Sequence, residues 1–182
     1  GSDRAMSTVV VRWKSERRIV MKVKELMTEN AKVCTPTSSL AEVASLMWEN
    51  DCGILPVVAH GGTVVGLITD RDVCMAAAMK HRHLENIAVE EVSSGKVISC
   101  HPDDDARGAL KTMQENKVRR LPVVANDGTL KGVLSINDIV LRAREARDKK
   151  TPEVTYADVV TTYKAICAHP LPMTQAQRAA GV

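Results

Sequence analysis

Two short stretches of the 182-residue chain place chemically capable side chains at the same spacing: Gly66-Leu-Ile-Thr69-Asp-Arg-Asp72 and Gly132-Val-Leu-Ser135-Ile-Asn-Asp138. In each, a glycine that lets another group approach the backbone is followed by a hydroxyl and, three residues on, a carboxylate. Ser/Thr-x-x-Asp is close to a capping box, in which the hydroxyl and the acid satisfy the free N–H groups of a helix N-terminus. The same arrangement suits a phosphorylated sugar. A helix N-terminus presents N–H donors and the positive end of a dipole to phosphate. The hydroxyl adds a donor, and the carboxylate can accept from both hydroxyls of a ribose. Spacing alone is compatible with either use.

Other reactive groups point to less. His81, His83 and His101 have no Cys or carboxylate cluster at ligand spacing, so they read as solvated side chains and no metal site is expected. Asp103-Asp-Asp105 stands where an earlier stretch has Thr37-Ser-Ser39, which favours helix capping and dipole complementation over metal binding. Cys34 and Cys100 lie in equivalent apolar runs and read as packing groups. There is no GxSxG, HExxH or P-loop pattern, and no nucleophile is paired with a base. No catalytic residue is assigned and the chain is not expected to be an enzyme.

The elements that position the two motifs come from an internal repeat. Sliding the sequence by 66 residues aligns Val23–Ala76 with Val89–Arg142 without a gap, and 16 of the 54 aligned positions are identical. Such self-similarity marks duplication of one supersecondary unit. Each unit opens with a short apolar run ending at proline (Ala31–Thr35 before Pro36, Val97–His101 before Pro102), as a short or edge strand would. A helical stripe follows: Leu40, Val43, Ala44 and Met47, then Ala106, Ala109, Leu110 and Met113. Next comes a hairpin around His60-Gly-Gly or Asn126-Asp-Gly, then a second helix over Arg71–Lys80 or Asn137–Asp148. The order is β-α-β-β-α, twice. One unit alone buries too little to be comfortably stable, so two copies should share their packing.

Composition narrows the function classes. The chain is 45% apolar and 26% charged with a net charge of +3, and its only aromatics are Trp13, Trp48, Tyr156 and Tyr163. That argues against reading single strands by base stacking, and no nucleic-acid partner is expected. The basic runs Arg12–Lys24 and Arg142–Lys150 read as solvated faces or linker ends. No apolar run reaches the roughly 18–20 residues of a membrane span, and no secretory segment is seen. Five cysteines without a CxxC pair fit reduced thiols in a cytoplasmic protein. Gly1-Ser2 reads as a cloning remnant, with Met6 or Met21 as the native start. Beyond Lys150 a helix is expected through about His169, with Val159, Val160, Tyr163 and Cys167 on its inner face.

The Leu-Pro-Val-Val strands, the Gly-x-x-Thr/Ser-x-x-Asp junctions and the 66-residue spacing together carry a resemblance. The span Val23–Asp148, about two thirds of the chain, resembles a tandem pair of CBS domains, the cystathionine-β-synthase-type repeat also called a Bateman module. The resemblance implies an adenosine-containing ligand (AMP, ADP, ATP, NAD or S-adenosylmethionine) bound in clefts between the repeats, with no obligatory cofactor. It also implies self-association into a flat, disc-like homodimer. By the same resemblance Asp72 and Asp138 are ribose-binding acids, and Thr69 and Ser135 are phosphate-side hydroxyls. Adenine is expected near Ala31-Lys32 or Val97-Ile98 and the strands holding Leu55 or Leu121. Arg119-Arg120 precede Leu121-Pro122, where similar proteins place basic residues facing phosphate; Gly53-Ile54 stand at the equivalent positions, so the clefts should differ in anion affinity. Arg71, opposite Asn137 in the alignment, is a further candidate.

The expected fold is α+β: two β-α-β-β-α repeats (21–82 and 83–148) packed as a pseudo-two-fold module, with an N-terminal arm (1–20) and a C-terminal helical extension (149–182). The expected function is that of a stand-alone energy- or redox-state sensor. A ligand bridging the repeats would favour one arrangement of them and pass that change to a protein partner not identified by the sequence. The rivals are a scaffold whose motifs only cap helices and a thiol-based redox adaptor.

Overall fold

The computed structural model describes residues 20–145 and 153–168. The expected arm before residue 20, the last residues of the second-repeat helix and the stretch from residue 169 onward lie outside the described residues. The first repeat runs β1 (Thr28–Glu29), α1 (Leu40–Glu49), β2 (Ile54–Val58), β3 (Val64–Thr69) and α2 (Asp70–Met79). The second runs α3 (Ala106–Asn116), β4 (Arg120–Val124), β5 (Leu130–Ser135) and α4 (Ile136–Val140), and α5 (Tyr156–Cys167) follows.

The expected stripes become the buried helix faces. Leu40, Val43 and Met47 line one core, and Ala106, Ala109, Leu110 and Met113 line the other. Helix α1 starts at Ser39, whose hydroxyl accepts from the Glu42 N–H while the Glu42 carboxylate accepts from the Ser39 N–H at 2.9 Å. Asp105 caps α3 by accepting from the Arg107 N–H at 3.0 Å. Both hairpins are antiparallel, and their register shifts at the same repeat position, after Val57 and after Val123.

The sequence repeats are contiguous, but their cores are interleaved. Val23 is fully buried in the core of the second repeat, and its equivalent Val89 is fully buried in the core of the first. Strand β1 pairs with β5, Thr28 opposite Val133 and Glu29 opposite Gly132, while Ser94 bridges Leu67 in the reciprocal position. The motif glycines permit this exchange. A Cβ on Gly132 would lie 2.5 Å from the Thr28 carbonyl oxygen, and one on Gly66 would lie 2.9 Å from that of Ser94. The group that needs the glycine is therefore backbone of the other repeat. The hairpin tips also join: Val64 N–H donates to Gly128 O and Leu130 N–H to Gly62 O, each at 3.1 Å.

Three elements differ from expectation. The opening strands contract to one parallel bridge each, Cys34 with Val57 and Cys100 with Val123. Only Cys34 and Cys100 reach the neighbouring strand, because the residues before them turn out to line clefts. Helix α4 stops after Val140, short of the helix expected over Asn137–Asp148. The Arg144 N–H donates to Val154 O and the Arg144 carbonyl accepts from Tyr156 N–H, so the segment entering α5 takes groups that another helical turn would have used. Helix α5 packs Val159, Thr162, Tyr163 and Ile166 inward, whereas Val160 and Cys167 are exposed. The inner face is therefore rotated from the expected one by the fit against α3.

Candidate ligand-binding clefts

Both Ser/Thr-x-x-Asp motifs form the junction between the second hairpin strand and the following helix, and both are complete capping boxes. The Thr69 N–H and hydroxyl donate to Asp72 Oδ2 at 2.8 and 2.7 Å, and the Asp72 N–H donates to Thr69 Oγ1 at 3.2 Å. Ser135 and Asp138 repeat this at 2.7, 2.7 and 3.2 Å. A third copy, Thr155 with Asp158, starts α5. In all three the hydroxyl proton is committed to the carboxylate. The other oxygen of Asp72 and Asp138, Oδ1, takes no part in the box.

This geometry changes the phosphate cradle anticipated at the helix N-termini. At α2 the Asp70 N–H already donates to Gly53 O and the Arg71 N–H to the Asp70 carboxylate, at 3.2 and 2.7 Å. With Asp72 N–H in the box, the first three amides of the helix are occupied. An anion here cannot use those three amides, and the cationic side chains of the cleft are placed to hold it instead.

Each motif opens onto a cleft walled by both repeats. The first, about 400 Å³, sets Thr69, Arg71 and Asp72 against Lys96, Ile98, Lys117, Arg119 and Arg120 of the second repeat. The second, about 460 Å³, sets Ser135, Asn137 and Asp138 against Asn30, Ala31, Lys32 and Asp51 of the first. Ile54 and Arg120, equivalent in the repeat, line both clefts and so mark the pseudo-two-fold axis between them.

Most of the residues singled out in the sequence are thus brought together, but in crossed pairs: Arg119 faces the motif of the other repeat, and Arg120 lies against both motifs. Leu55 and Leu121 are not on a cleft wall, because both are fully buried in the cores; their neighbours Ile54 and Arg120 face the clefts instead. Val97 is half-buried and lines neither cleft, leaving Ile98. The residues not anticipated are Lys96, Lys117, Asn30 and Asp51. The alignment already set Asp51 opposite Lys117 and Asn30 opposite Lys96. Nothing in it indicated that the Asp51–Lys117 pair follows a helix end in a left-handed conformation, at φ 48° and 53°.

The remaining reactive groups are accounted for locally. Burial pushes the Cys34 thiol up to about 11 and the Cys100 thiol up to about 12, the latter also through Asp104. His101 Nδ1 lies 2.9 Å from Val124 O, and Asp103 pairs with Lys24 at 2.7 Å. Among the described residues no group of three or more His, Cys, Asp or Glu is placed to hold a metal ion. No helix among them is long and apolar enough to cross a membrane.

Duplicated hairpin-and-helix units, exchanging segments and enclosing two symmetry-related clefts, define a paired-repeat module. The chain belongs to the CBS domain family, whose sequence profile matches residues 23–78 and again 89–145. It is 31% identical over 119 residues to the CBS domain-containing protein YhcV of Bacillus subtilis, covering 65% of this chain and 83% of that one. Among solved structures it resembles the CBS domain pair of protein MJ0100, in complex with 5-methylthioadenosine and S-adenosyl-L-methionine. That match has 25% identity and a TM-score of 0.59, and covers 67% of this chain and 94% of the other. It also resembles CBSX2 of Arabidopsis thaliana in complex with AMP, at 26% identity and a TM-score of 0.58, covering 66% and 93%.

Proposed function

We propose that the chain is a regulatory module that binds an adenosine-containing ligand, AMP, ADP, ATP, NAD or S-adenosylmethionine, and passes a change in repeat arrangement to a protein partner. The observation that carries this reading is that each cleft is walled by both repeats. A ligand that touches both stabilises the arrangement in which it makes more contacts. The AMP and S-adenosylmethionine complexes of related CBS pairs support the ligand class. In this reading Oδ1 of Asp72 and Asp138 accepts from ribose hydroxyls, while Thr69 and Ser135 orient those acids. Arg71, Arg119 and Arg120 meet phosphate, and Ala31, Lys32 and Ile98 flank the base.

Helix α5 is the proposed output element, since it holds a residue of each cleft. Lys117 Nζ donates to Ala168 O at 2.8 Å, and Tyr163 OH donates to Asn137 Oδ1 at 3.2 Å. Lys117 keeps a left-handed backbone at a helix end where glycine is usual. A ligand that recruits either side chain withdraws a partner from α5.

Self-association through the first repeat completes the reading. Trp48 on α1 is 89% exposed and shares a groove with Cys74 and Ala77 of α2, and Met75 and Met79 on α2 are exposed as well. The equivalent face of the second repeat is covered by α5. A second copy packing its own α1–α2 face here forms an isologous homodimer. Five free cysteines support a reducing, cytoplasmic setting, and the protonated, buried Cys34 and Cys100 weigh against a thiolate-based redox adaptor.

The third capping box, at Thr155, favours one alternative: a scaffold in which the motifs serve only as caps. A thermal-shift screen against the five ligands separates the two. A ligand at 100 times its Kd adds about 2.7 kcal/mol, or roughly 5–10 °C for a chain of this size. Binding gives a shift that shrinks in Asp72→Asn or Asp138→Asn; a scaffold gives none.

A further inference from the structure

The two clefts are built from equivalent positions but differ in charge. Where the first has Arg71, Lys96 and Lys117, the second has Asn137, Asn30 and Asp51. Arg119 of the first corresponds to Gly53. Lys32, opposite Ile98, and Asp70, opposite Ile136, run the other way. The first cleft thus gathers five cations against the carboxylates of Asp70 and Asp72, whereas the second has two cations against Asp51 and Asp138. The side chains of Arg71, Lys96, Arg119 and Arg120 make no hydrogen bond or ion pair among the described residues. The α2 amides that would otherwise bind an anion are occupied, so these side chains are what the first cleft offers to negative charge.

We infer that the clefts divide their labour: the Thr69–Asp72 cleft takes a nucleotide with two or more phosphates, and the Ser135–Asp138 cleft takes a nucleoside with one phosphate or none. This rests on the reading of the clefts as adenosine sites given above. A di- or triphosphate entering the first cleft meets a surplus of donors suited to charge-assisted, partly bidentate contacts. In the second it meets Asp51 where the first has Lys117, and like charges brought together oppose binding.

Calorimetric titration of the full chain with adenosine, AMP, ADP, ATP and inorganic tripolyphosphate tests this, with wild type and the variant R71N/K96N/R119G. Each substitution installs the residue that the other repeat carries at the equivalent position, and thermal unfolding checks that the variant is folded. In wild type one site should tighten by about tenfold for each phosphate beyond the first, as each added charge-assisted contact allows. That gain should fall at high salt, and the other site should hold adenosine and AMP alike. The variant should lose about 30-fold or more in ATP affinity and keep its affinity for adenosine. Equal phosphate dependence at both sites, or an unchanged ATP affinity in the variant, overturns the division while leaving the adenosine reading intact. Tripolyphosphate bound by wild type and not by the variant, with no nucleoside bound at all, leaves an anion-binding cleft but overturns both the division and the adenosine reading. A folded protein that binds none of the five overturns both.

Discussion

Replacing Gly132 by alanine tests the interleaving on which both clefts depend. The added Cβ would lie 2.5 Å from the Thr28 carbonyl oxygen and 3.2 Å from Met27 Sδ. The first neighbour is backbone and cannot swing aside, so β1 must move away from β5. Overpacking of this kind costs about 1–3 kcal/mol, and the upper half applies because the obstructing atom belongs to a paired strand. For a chain of this length the loss lowers Tm by roughly 5–10 °C. Gly66→Ala, with 2.9 Å to Ser94 O across a single bridge, should cost less. Gly108→Ala is the control: it lies inside α3 with nothing within 4 Å, so it should gain about 0.5–1 kcal/mol from helix propensity. Urea and thermal unfolding of the three variants measure this order. If Gly132→Ala is as stable as wild type, or moves with Gly108→Ala, the exchanged strand does not pack as described. Because Asn30 and Lys32 follow β1 into the second cleft, the same variant should weaken ligand binding there more than in the first.

Other perturbations have equally definite outcomes. The buried thiols of Cys34 and Cys100 titrate above their ordinary value of 9.0, at about 11 and about 12, so the unfolded chain releases these protons first as pH rises. Their contribution to stability is complete below about 9 and is lost between there and about 12. Urea unfolding across that range should show the loss, and a Cys34→Ala/Cys100→Ala variant should show less of it. Alkylation of the native protein near neutrality should label the exposed Cys74 and Cys167 and spare the buried pair. Trp48→Lys should leave monomer stability within about 0.5 kcal/mol and weaken self-association by about 30-fold or more, as loss of a central aromatic anchor does; sedimentation equilibrium reads both species. Thr155→Ala removes two hydrogen bonds of 2.8 and 3.2 Å from the α5 cap and should cost about 1 kcal/mol, seen as earlier proteolysis of the C-terminal helix.

The duplication, the helix stripes and the hairpins were legible because they rest on local signals: period, turn glycines and capping residues. The exchange was not, since nothing in Val23 or Thr28 says which repeat supplies its neighbours. Only the glycines hinted at a close approach, and the partner proved to be backbone of the other repeat. The motif residues could be placed at cleft mouths by resemblance, whereas Leu55 and Leu121 are packed into the cores by the strand alternation that sets Ile54 and Arg120 outward. Lys96 and Lys117 were missed because a charge on a polar stretch carries no signal until the opposite wall of the cleft is known.

The most direct test of the two-walled clefts is amide-resolved NMR of the chain titrated with AMP. Expected are coupled shifts at 69–72 with 96–98 and 117–120, or at 135–138 with 30–32 and 50–54, so that both walls of one cleft respond at the same ligand concentration. Shifts confined to one wall, shifts only on the open α1–α2 face, or a spectrum unchanged by AMP would contradict the claim that a ligand bridges the repeats.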